Sequence, residues 1–470
     1  MSARPPGKMR PIHAESLFQS SVPSAQPGSA GLRPSENTAP SSTQRFQPPQ
    51  IGSVADTGLT LAFLSDLVLK VIYFEGKILG SGLADKVRLP FIGVVNEAIE
   101  FLRREHLCEV RGAGGLSESS YEYTITDKGR IRVRELLESS KYVGPAPVSL
   151  EAYARSVRQQ PLQKVRIHPP AMRQYLSHLV LSEETFSQIG SAVNSARSIF
   201  LFGPPGNGKT TIADSIGRML MSDDMYIPYA FVVDGRVVKV FDDVNHRSVG
   251  EPSAGDTGSG SAGNHQRDGR WIKIRRPVVS VGGELTLESL DLVYDENSKY
   301  YEAPCQVKAN GGMFLIDDFG RQRMAPRDLL NRWIVPLEKR IDYLTLHTGR
   351  KIEMPFDVLI VFATNLEPKE LVEEAFLRRI RHKIHIGDPS YEQYREIFRR
   401  VCQAKGVAYK DQALAYLLRE HYIKHKRALR ACHPRDLLDE IVDIARFLGV
   451  PAQLSKELID RACEVYFVEL

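Results

Sequence analysis

The stretch from Ser198 to Leu220, SIFLFGPPGNGKTTIADSIGRML, decides the fold of this 470-residue chain. An apolar run at Ile199–Phe202 leads into a glycine-rich loop, after which Ile212, Ile216 and Leu220 follow at helical spacing. The loop has the pattern G-x-x-x-x-G-K-T between a strand and a helix. In that setting, backbone N–H groups and a helix N-terminus enclose phosphate oxygens. We therefore predict an α/β fold with a parallel sheet around a phosphate-binding loop.

The predicted nucleotide-binding residues form one uninterrupted run. They are Gly203, Pro204, Pro205, Gly206, Asn207, Gly208, Lys209, Thr210 and Thr211. Lys209 is expected to neutralise the terminal phosphates as a point charge, and the hydroxyl of Thr210 can bind Mg²⁺. The predicted ligands are ATP and Mg²⁺. A glycine-rich turn without a ligand is the alternative, which the flanking strand and helix disfavour.

A second apolar run ends in two carboxylates. The sequence GGMFLIDDFG predicts a buried strand that delivers Asp317 and Asp318 to a bound cation. Asp317 is expected to hold Mg²⁺ together with Thr210, and Asp318 to act as the general base that orients the attacking water. A third apolar run, FDVLIVFATN, ends at Asn365, whose amide can hold that water or the terminal phosphate.

Arginines follow these groups along the chain. Arg378 and Arg379 stand near a predicted helix end in EEAFLRRIRHKIHI, and Arg435 stands just inside a helix that Pro434 opens. Glycine loop, paired acids, strand-end asparagine, arginine pair and C-terminal arginine occur in the order that resembles an AAA+ ATPase. The resemblance covers about residues 176–470. It implies an AAA+ core with a C-terminal helical lid.

The resemblance also assigns a role to each group. Within it, residues 203–210 correspond to Walker A, Asp317-Asp318 to Walker B, Asn365 to sensor 1 and Arg435 to sensor 2. Arg378 and Arg379 become the candidates for an arginine finger that reaches a neighbouring subunit's site. This implies a homo-oligomer, which in that family is a hexamer.

A predicted hairpin precedes the strand that ends at Asn365. It lies in LEKRIDYLTLHTGRKIEMPFDVLIVFATN, with HTG as its turn. This resembles the pre-sensor 1 hairpin clade, which includes MoxR-like ATPases and bacterial enhancer-binding activators. The Gly-Ala-Phe-Thr-Gly-Ala loop of the activators is absent from the sequence, and YDENSKYYEAPCQ stands in its place. Tyr300 and Tyr301 there are candidates for central-pore residues, or else buried or ordinary surface tyrosines.

Asp318 departs from the family, in which glutamate is usual. Aspartate is one methylene shorter, a retreat of roughly 1.5 Å. Displacing a catalytic group by ~1 Å can cost ~10²-fold in rate, although the carboxylate chemistry itself is retained. We therefore expect ATP binding together with hydrolysis that the shorter side chain can slow.

Residues 56–142 are predicted to form a winged-helix-like α+β domain, because helical patterns precede the hairpin pattern CEVRGAGGLSESSYEYTITDKGR. The predicted helix before the wing carries Glu97, Glu100 and Glu105 beside Arg103 and Arg104. The segment has 12 Lys and Arg against 13 Asp and Glu. A phosphate-binding surface should be more basic, so we favour a protein partner and keep DNA as the alternative.

Composition sets the remaining boundaries. The predicted segments are a disordered tail at 1–55, a proline-rich linker at 143–175, a nucleotide-binding α/β domain at 176–388 and a helical lid at 389–470. Within the α/β domain, residues 222–276 form an insert with a predicted hairpin turning at Asp234-Gly235 and a glycine-rich loop. We predict no function for this insert.

The overall composition is that of a globular protein of the cytoplasm. The chain is 42% hydrophobic and 25% charged, and its net charge of +5 does not predict a nucleic-acid partner. Five scattered cysteines without a Cys-x-x-Cys pair argue against a disulfide framework or a zinc site. No apolar run approaches the ~20 residues of a membrane span, and the N-terminus lacks the apolar block of a signal peptide. We therefore expect a cytoplasmic location and no membrane span.

The predicted function is that of an AAA+ ATPase that remodels a macromolecular partner as a ring oligomer. One alternative is an ATP-switched regulator held on DNA by the winged helix. Another is an ATP-binding scaffold that hydrolyses weakly because of Asp318.

Overall fold

The computed structural model describes residues 45–113, 115, 117–250, 267–368 and 377–467. Residues 1–44 of the predicted tail and residues 251–266 of the glycine-rich loop therefore lie outside the described residues. The described residues from Arg45 onward form one compact unit. No helix in the described ranges is both long and apolar enough to cross a bilayer.

Five short parallel strands form the central sheet. They are β1 (Ile199–Phe202), β2 (Val278–Val281), β3 (Met313–Ile316), β4 (Leu359–Thr364) and β5 (His382–His385). Their spatial order is β2–β3–β4–β1–β5, and each neighbouring pair is parallel. β3 and β4 are buried along their whole length, as expected for inner strands covered on both faces. The predicted α/β architecture with a parallel sheet is thus present.

Helices cover the two faces of this sheet. They span Pro169–Tyr175, Glu183–Ser195, Lys209–Leu220, Cys305–Lys308, Pro326–Arg332 and Ile334–Lys339. Alternate residues of each strand face opposite sides. Leu315 therefore packs in the core that contains Ile216 of the Lys209–Leu220 helix, whereas Phe314 and Phe362 contact Trp333.

The C-terminal helices have an apolar core of their own. They span Tyr391–Lys405, Asp411–Leu417, His433–Leu448 and Lys456–Tyr466, with a π-helical turn at Leu418–Ile423. The spacing of Ser390 and Gln393 in SYEQYREIFRRV predicts a capping box at the start of the first of these helices. The structure confirms it, because the side chains of Ser390 and Gln393 each accept from the other residue's backbone N–H.

The N-terminal region, residues 56–142, combines helices with a three-stranded antiparallel sheet. Its helices span Leu61–Glu75, Gly80–Val87, Asn96–Arg104 and Asp127–Ser139. Strands Cys108–Ala113 and Tyr121–Ile125 confirm the predicted hairpin. Lys77–Leu79 adds a third strand beside Tyr121–Ile125. Three residues are too few to give a periodic signal, so the sequence did not predict this strand.

A mixed sheet connects the N-terminal region to the central sheet. In spatial order its strands are Val293–Asp295, Tyr300–Glu302, Arg236–Lys239, Ala230–Val233 and Val148–Ser149. The predicted turn at Asp234-Gly235 is confirmed, and both residues have the positive φ that a two-residue hairpin turn requires, 50° and 72°.

Two further antiparallel pairs flank this mixed sheet. Asp224–Pro228 pairs with Trp271–Arg275, and Ile341–Thr345 pairs with Lys351–Pro355. The second pair is the hairpin predicted before β4. Short 3₁₀ or π turns lie at Ala55–Thr57, Phe91–Val95, Glu118–Ser120, Leu162–Lys164 and Glu288–Leu290.

A buried ion pair ties the insert to the N-terminal region. Arg270 and Asp268 are 3% and 2% exposed, and Nη2 of Arg270 lies 2.8 Å from Oδ2 of Asp268. Nη1 of the same guanidinium donates to the carbonyl oxygens of Thr57 at 2.9 Å and Pro147 at 3.0 Å. The indole N–H of Trp271 donates to Asp268 at 3.1 Å. We call these five residues the joint.

Two predicted boundaries differ from the structure. Residues 45–55, expected in the disordered tail, are packed, since Phe46 is buried with its ring centroid 4.9 Å from that of Trp271. The expected linker contains the helix Leu150–Gln159, in which Tyr153 stacks on Phe231 at 5.2 Å. Each segment is held by one buried aromatic ring, Phe46 in the first and Tyr153 in the second. The sequence analysis judged these segments by their average composition, in which one aromatic residue has little weight.

Tyr301 is not available to a central pore. Its side chain is fully buried on the strand Tyr300–Glu302, and it hydrogen-bonds His347 at the tip of the second hairpin. Tyr300 packs edge-on against Tyr142 with a centroid separation of 5.5 Å. Of the two interpretations of these tyrosines, the packed one therefore holds.

Candidate nucleotide site

Three neighbouring strands bring the predicted site residues to one edge of the central sheet. β1 runs into the loop that starts at Gly203, β3 ends just before Asp317, and β4 ends just before Asn365. Because these strands are parallel neighbours, their carboxyl ends meet. Residues far apart in sequence thereby become neighbours in space.

The loop after β1 needs glycine at two positions for both conformation and space. Gly203 and Gly206 have φ angles of 130° and 81°. A Cβ atom on Gly203 would lie 2.5 Å from the carbonyl oxygen of Ile386, and one on Gly206 would lie 2.6 Å from Sγ of Cys432. The backbone can therefore follow this path only without side chains at these positions.

Lys209 lies inside the loop that precedes it. Its side chain is buried, and Nζ donates to the carbonyl oxygens of Gly203 at 3.0 Å and Pro204 at 2.8 Å. Burial lowers the pKa of Lys209, while the carboxylates of Asp318 and Asp317 oppose that shift. The ammonium is thus held where phosphate oxygens could replace the two carbonyl partners.

Hydrogen bonds link the loop to the paired carboxylates. Oγ1 of Thr210 donates to Oδ1 of Asp317 at 3.1 Å, and the backbone N–H of Asp318 donates to the same oxygen at 3.0 Å. Nδ2 of Asn365 donates to Oδ1 of Asp318 at 3.4 Å. Four of the predicted residues thus form one connected polar chain.

The backbone at Asp318 lies in the left-handed region, with φ of 47°. Aspartate tolerates this region better than most residues with a Cβ atom. The next residue is fixed on both sides, because the N–H of Phe319 donates to Ala363 at 2.8 Å and Oγ1 of Thr364 donates to the carbonyl of Phe319 at 2.7 Å. The local backbone therefore suits aspartate better than glutamate.

These residues line a cavity of about 590 Å³. Its walls include most of the predicted nucleotide-binding run, both carboxylates, Asn365 and Arg435. The sequence analysis missed an apolar wall made of Leu179, Val180, Leu181 and Ile397. Apolar residues after a linker and on a helix carry no chemical signature, so only their placement reveals this wall.

Asn207 connects the loop to the C-terminal helices. Its Nδ2 donates to Oδ1 of Asp388 at 2.8 Å, and its Oδ1 accepts from the N–H of Ala431 at 3.0 Å. The N–H of Cys432 donates to the carbonyl of Gly206 at 2.9 Å. The C-terminal helices therefore close directly over the loop, as a lid would.

Arg435 lines the cavity from these helices. Its guanidinium pairs with Asp436 at 3.0 Å, and its side chain is 66% exposed. An exposed arginine whose ion-pair partner, among the residues that the structure describes, is its sequence neighbour can turn toward a ligand at small cost.

Arg378 and Arg379 lie elsewhere. They line a second cavity of about 490 Å³ at the amino ends of β1 and β5, beside Ser198 and Arg381. Within one chain this is the opposite edge of the sheet from Gly203 and the carboxylates. The structure therefore does not bring the arginine pair to the nucleotide cavity of its own chain.

Thr210 and Asp317 have the chemistry of a magnesium site. Mg²⁺ prefers oxygen donors and usually takes one or two from protein side chains, with water and phosphates completing its shell. A hydroxyl and a carboxylate oxygen 3.1 Å apart in the cavity fit this pattern. Within the described part of the chain, no group of three or more His, Cys, Asp and Glu could hold a metal ion on its own.

Comparison with known proteins gives one domain match. Residues 390–465 match a family model described as a domain of unknown function, DUF8689. A search of curated proteins found no match to the chain.

Solved structures with distant similarity include the AAA+ ATPases NtrX and RuvB. NtrX from Brucella abortus with ADP has a TM-score of 0.37 and 14% identity, covering 61% of this chain and 56% of that one. NtrX from the same organism with ATP has a TM-score of 0.35 and 14% identity, covering 80% and 65%. The Holliday junction branch migration motor RuvB from Thermotoga maritima has a TM-score of 0.35 and 14% identity, covering 62% and 70%. The chain thus spans less than two thirds of these NtrX chains.

Proposed function

We propose that the chain is an AAA+-type ATPase that binds Mg-ATP in the nucleotide cavity, hydrolyses it, and uses the reaction to remodel a macromolecular partner. The observation that carries this proposal is the convergence of Lys209, Thr210, Asp317, Asp318 and Asn365 on one cavity. A phosphate-binding lysine, two hard oxygen donors and a carboxylate bonded by an amide are the groups that phosphoryl transfer to water requires.

Binding uses the loop and the walls around it. Lys209 exchanges its two loop carbonyls for phosphate oxygens, and the N-terminus of the Lys209–Leu220 helix adds partial positive charge. The apolar wall at residues 179–181 suits a purine base. The hydrogen bonds from Ala431 to Asn207 and from Cys432 to Gly206 hold the lid in its closed position.

Hydrolysis uses the two carboxylates in different roles. Mg²⁺ neutralises phosphate charge when bound, and Thr210 and Asp317 would hold it. Asp318 accepts the proton of the attacking water while that oxygen bonds the terminal phosphorus and the bond to the leaving ADP oxygen breaks. Asn365 keeps the carboxylate of Asp318 oriented. Arg435 meets the developing charge from the lid.

The proposal includes a homo-oligomer, with a hexamer expected from the family resemblance. Lys209 and the metal site cover the terminal phosphate from one side only. A guanidinium from a second copy can bind the other side with two parallel hydrogen bonds, which lysine cannot do. Because Arg378 and Arg379 lie at the opposite edge of the sheet, we propose that they serve a neighbouring subunit.

The N-terminal region is proposed to be a winged helix that contacts protein. The exposed face of its Asn96–Arg104 helix carries Glu97 and Glu100 together with Arg103 and Arg104. Carboxylates spaced among the arginines would repel a phosphate backbone. We therefore do not include DNA binding in the proposed function.

The test is phosphate release by the purified full-length protein with ATP, with and without Mg²⁺. We expect turnover that depends on Mg²⁺ and disappears with EDTA. Tight ATP binding without phosphate release would instead support the scaffold alternative. The Asp318→Asn variant loaded with ATP then serves to trap the macromolecular partner.

A further inference from the structure

Arg378 and Arg379, the two candidates for the arginine finger, both line the second cavity. They differ in exposure and in their ion-pair partners. The wall of this cavity is strongly cationic and has one carboxylate, Glu338. The cationic residues are Arg197, Arg340, Arg378, Arg379, Arg381 and Lys383. Since Arg378 and Arg379 are adjacent in sequence, the pattern of residues cannot say which of them reaches a second copy.

Arg379 is already engaged. Its Nε donates to Oε1 of Glu338 at 2.6 Å, and its side chain is 19% exposed. The backbone around it is also fixed. Oγ of Ser198 donates to the carbonyl oxygen of Arg379 and accepts from the N–H of Arg381, each at 3.4 Å. These contacts hold both the side chain and the backbone of Arg379 against the wall of the cavity.

Glu338 stands on a firm support. It belongs to the helix Ile334–Lys339, which follows the fully buried Trp333. Directly after that helix, Arg340 donates through Nη1 to the carbonyl oxygen of Val358 at 3.0 Å and through Nη2 to that of Ala196. The helix is thus anchored, and the half-exposed carboxylate of Glu338 that it carries can restrain the guanidinium that it binds.

Arg378 differs from Arg379 in both exposure and pairing. Its side chain is exposed at the mouth of the same cavity. Among the described residues, no carboxylate lies within ion-pair distance of it. A guanidinium that is exposed and free to reorient can meet a phosphate without first giving up an internal partner.

We infer that Arg378 is the arginine presented to the nucleotide of a second copy of this chain. Arg379 and Glu338 form a clamp that positions it. This inference rests on the proposed function. In it, Arg378 alone touches the reacting phosphate, and the clamp acts by fixing the segment on which Arg378 stands. Arg379 and Glu338 are thus positioning residues.

Mixed assemblies test the assignment. An Arg378→Ala/Arg379→Ala subunit keeps its nucleotide cavity, and Lys209→Ala subunits lend arginines to it without hydrolysing ATP themselves. We expect a Lys209→Ala donor to restore turnover. Adding Arg378→Ala to the donor should lower the restored rate at least about 100-fold, within the ~10³–10⁵ range of arginine fingers. Adding Arg379→Ala should lower it only about three- to fivefold.

If Arg379 and Glu338 form a clamp, two further results are expected in this assay. A donor with Glu338→Gln should lower the restored rate no more than the Arg379→Ala donor does, and combining the two changes should cost no more than Arg379→Ala alone, because Glu338→Gln breaks a contact that Arg379→Ala has already removed. Arg381→Ala is the matched control, an exposed arginine on the same segment, and it should leave the restored rate unchanged. A larger loss with Arg379→Ala or Arg381→Ala than with Arg378→Ala would overturn the assignment.

A second measurement does not depend on turnover. Arginines of the full-length wild-type protein are modified with phenylglyoxal and quantified by mass spectrometry. Arg378 should react at least about threefold faster than Arg379, the factor expected when a modest ion pair protects one of them. Glu338→Gln should reduce the difference, and the part that remains reflects the deeper burial of Arg379. Equal rates in the wild type would disprove the clamp. A wild type that shows this difference in reactivity but hydrolyses no ATP would leave the clamp intact and refute the proposed function.

Discussion

The nucleotide cavity and the joint both contain buried charge, and they differ in how fully that charge is bonded. In the joint, the guanidinium of Arg270 makes four hydrogen bonds to Asp268, Thr57 and Pro147. Nearly all of its hydrogen-bonding capacity is therefore used within the protein rather than for a ligand. In the cavity, the hydrogen-bond partners of Lys209 among the described residues are loop carbonyls, and the cavity walls enclose about 590 Å³. Full internal bonding indicates a structural role, and an open cavity beside buried charge indicates binding.

This difference predicts that variants of the two regions affect separate measurements. Changes in the nucleotide cavity should alter ATP binding or turnover with little effect on unfolding. Changes in the joint should alter unfolding with little effect on ATP binding. Each variant below is therefore measured for both properties.

Lys209→Ala should have the largest effect, because it removes the only ammonium inside the phosphate loop. We expect ATP binding to be abolished under ordinary conditions, a loss of at least about 100-fold for a charged hydrogen-bonded group, and turnover with it. A fluorescent ATP analogue measures the affinity. Lys383→Ala, which removes an exposed lysine from the second cavity, is the matched control and should bind as wild type. Wild-type affinity in Lys209→Ala would place the nucleotide elsewhere.

Asp318→Asn should keep Mg-ATP bound and lower turnover about 10²- to 10⁴-fold, the range of a lost general base. Asparagine also tolerates the left-handed backbone at this position, so the variant should fold. Asp317→Asn is the comparison and should weaken Mg²⁺ binding as well. Phosphate release and Mg²⁺ titration separate the two. Unchanged turnover in Asp318→Asn would remove the general-base role.

Arg270→Ala should destabilise the protein by about 3–5 kcal/mol, because it leaves Asp268 buried without its ionic partner. Chemical unfolding measures the loss, and ATP affinity at low denaturant should stay near the wild-type value. Arg270→Met/Asp268→Asn removes both charges and should cost less than the single change. A stable Arg270→Ala protein with impaired ATP binding would contradict the separation of the two regions.

Asn207→Ala should have the smallest effect. It removes one hydrogen bond between the phosphate loop and Asp388 and one between the loop and Ala431 in the lid, each worth about 0.5–1.5 kcal/mol. We expect KM for ATP to rise about three- to tenfold with little change in kcat, because Asn207 makes no contact with the paired carboxylates. Steady-state kinetics at saturating Mg²⁺ measures both constants. A fall in kcat with unchanged KM would mean that the lid contact acts on chemistry rather than on binding.

Much of the fold could be predicted because its signals are local. Apolar runs marked β1, β3 and β4, and turn chemistry marked the hairpin at Asp234-Gly235. The strand Lys77–Leu79 was not predicted, because three residues are too few to show the alternation of apolar and polar residues that marks a strand. The helix Leu150–Gln159 escaped because proline-rich neighbours dominated its composition.

The sequence by itself determined the chemistry of the candidate nucleotide site. A phosphate loop, a metal-binding hydroxyl and paired carboxylates need particular residue types at short fixed spacings, so Lys209, Thr210, Asp317 and Asp318 could be identified without coordinates. Their roles remain predictions. Nearest-neighbour spacing also sufficed for the capping box at Ser390, since a helix terminus is satisfied within one turn.

Only the tertiary structure decided which distant groups share a cavity. Because β3 and β4 are parallel neighbours, Asn365 lies beside Asp318 at the carboxyl edge of the sheet. Arg378 lies at the opposite edge. Packing placed Tyr301 in the interior and paired Arg379 with Glu338. Burial and pairing depend on which surfaces meet after the chain folds, and neither periodicity nor residue type contains that information.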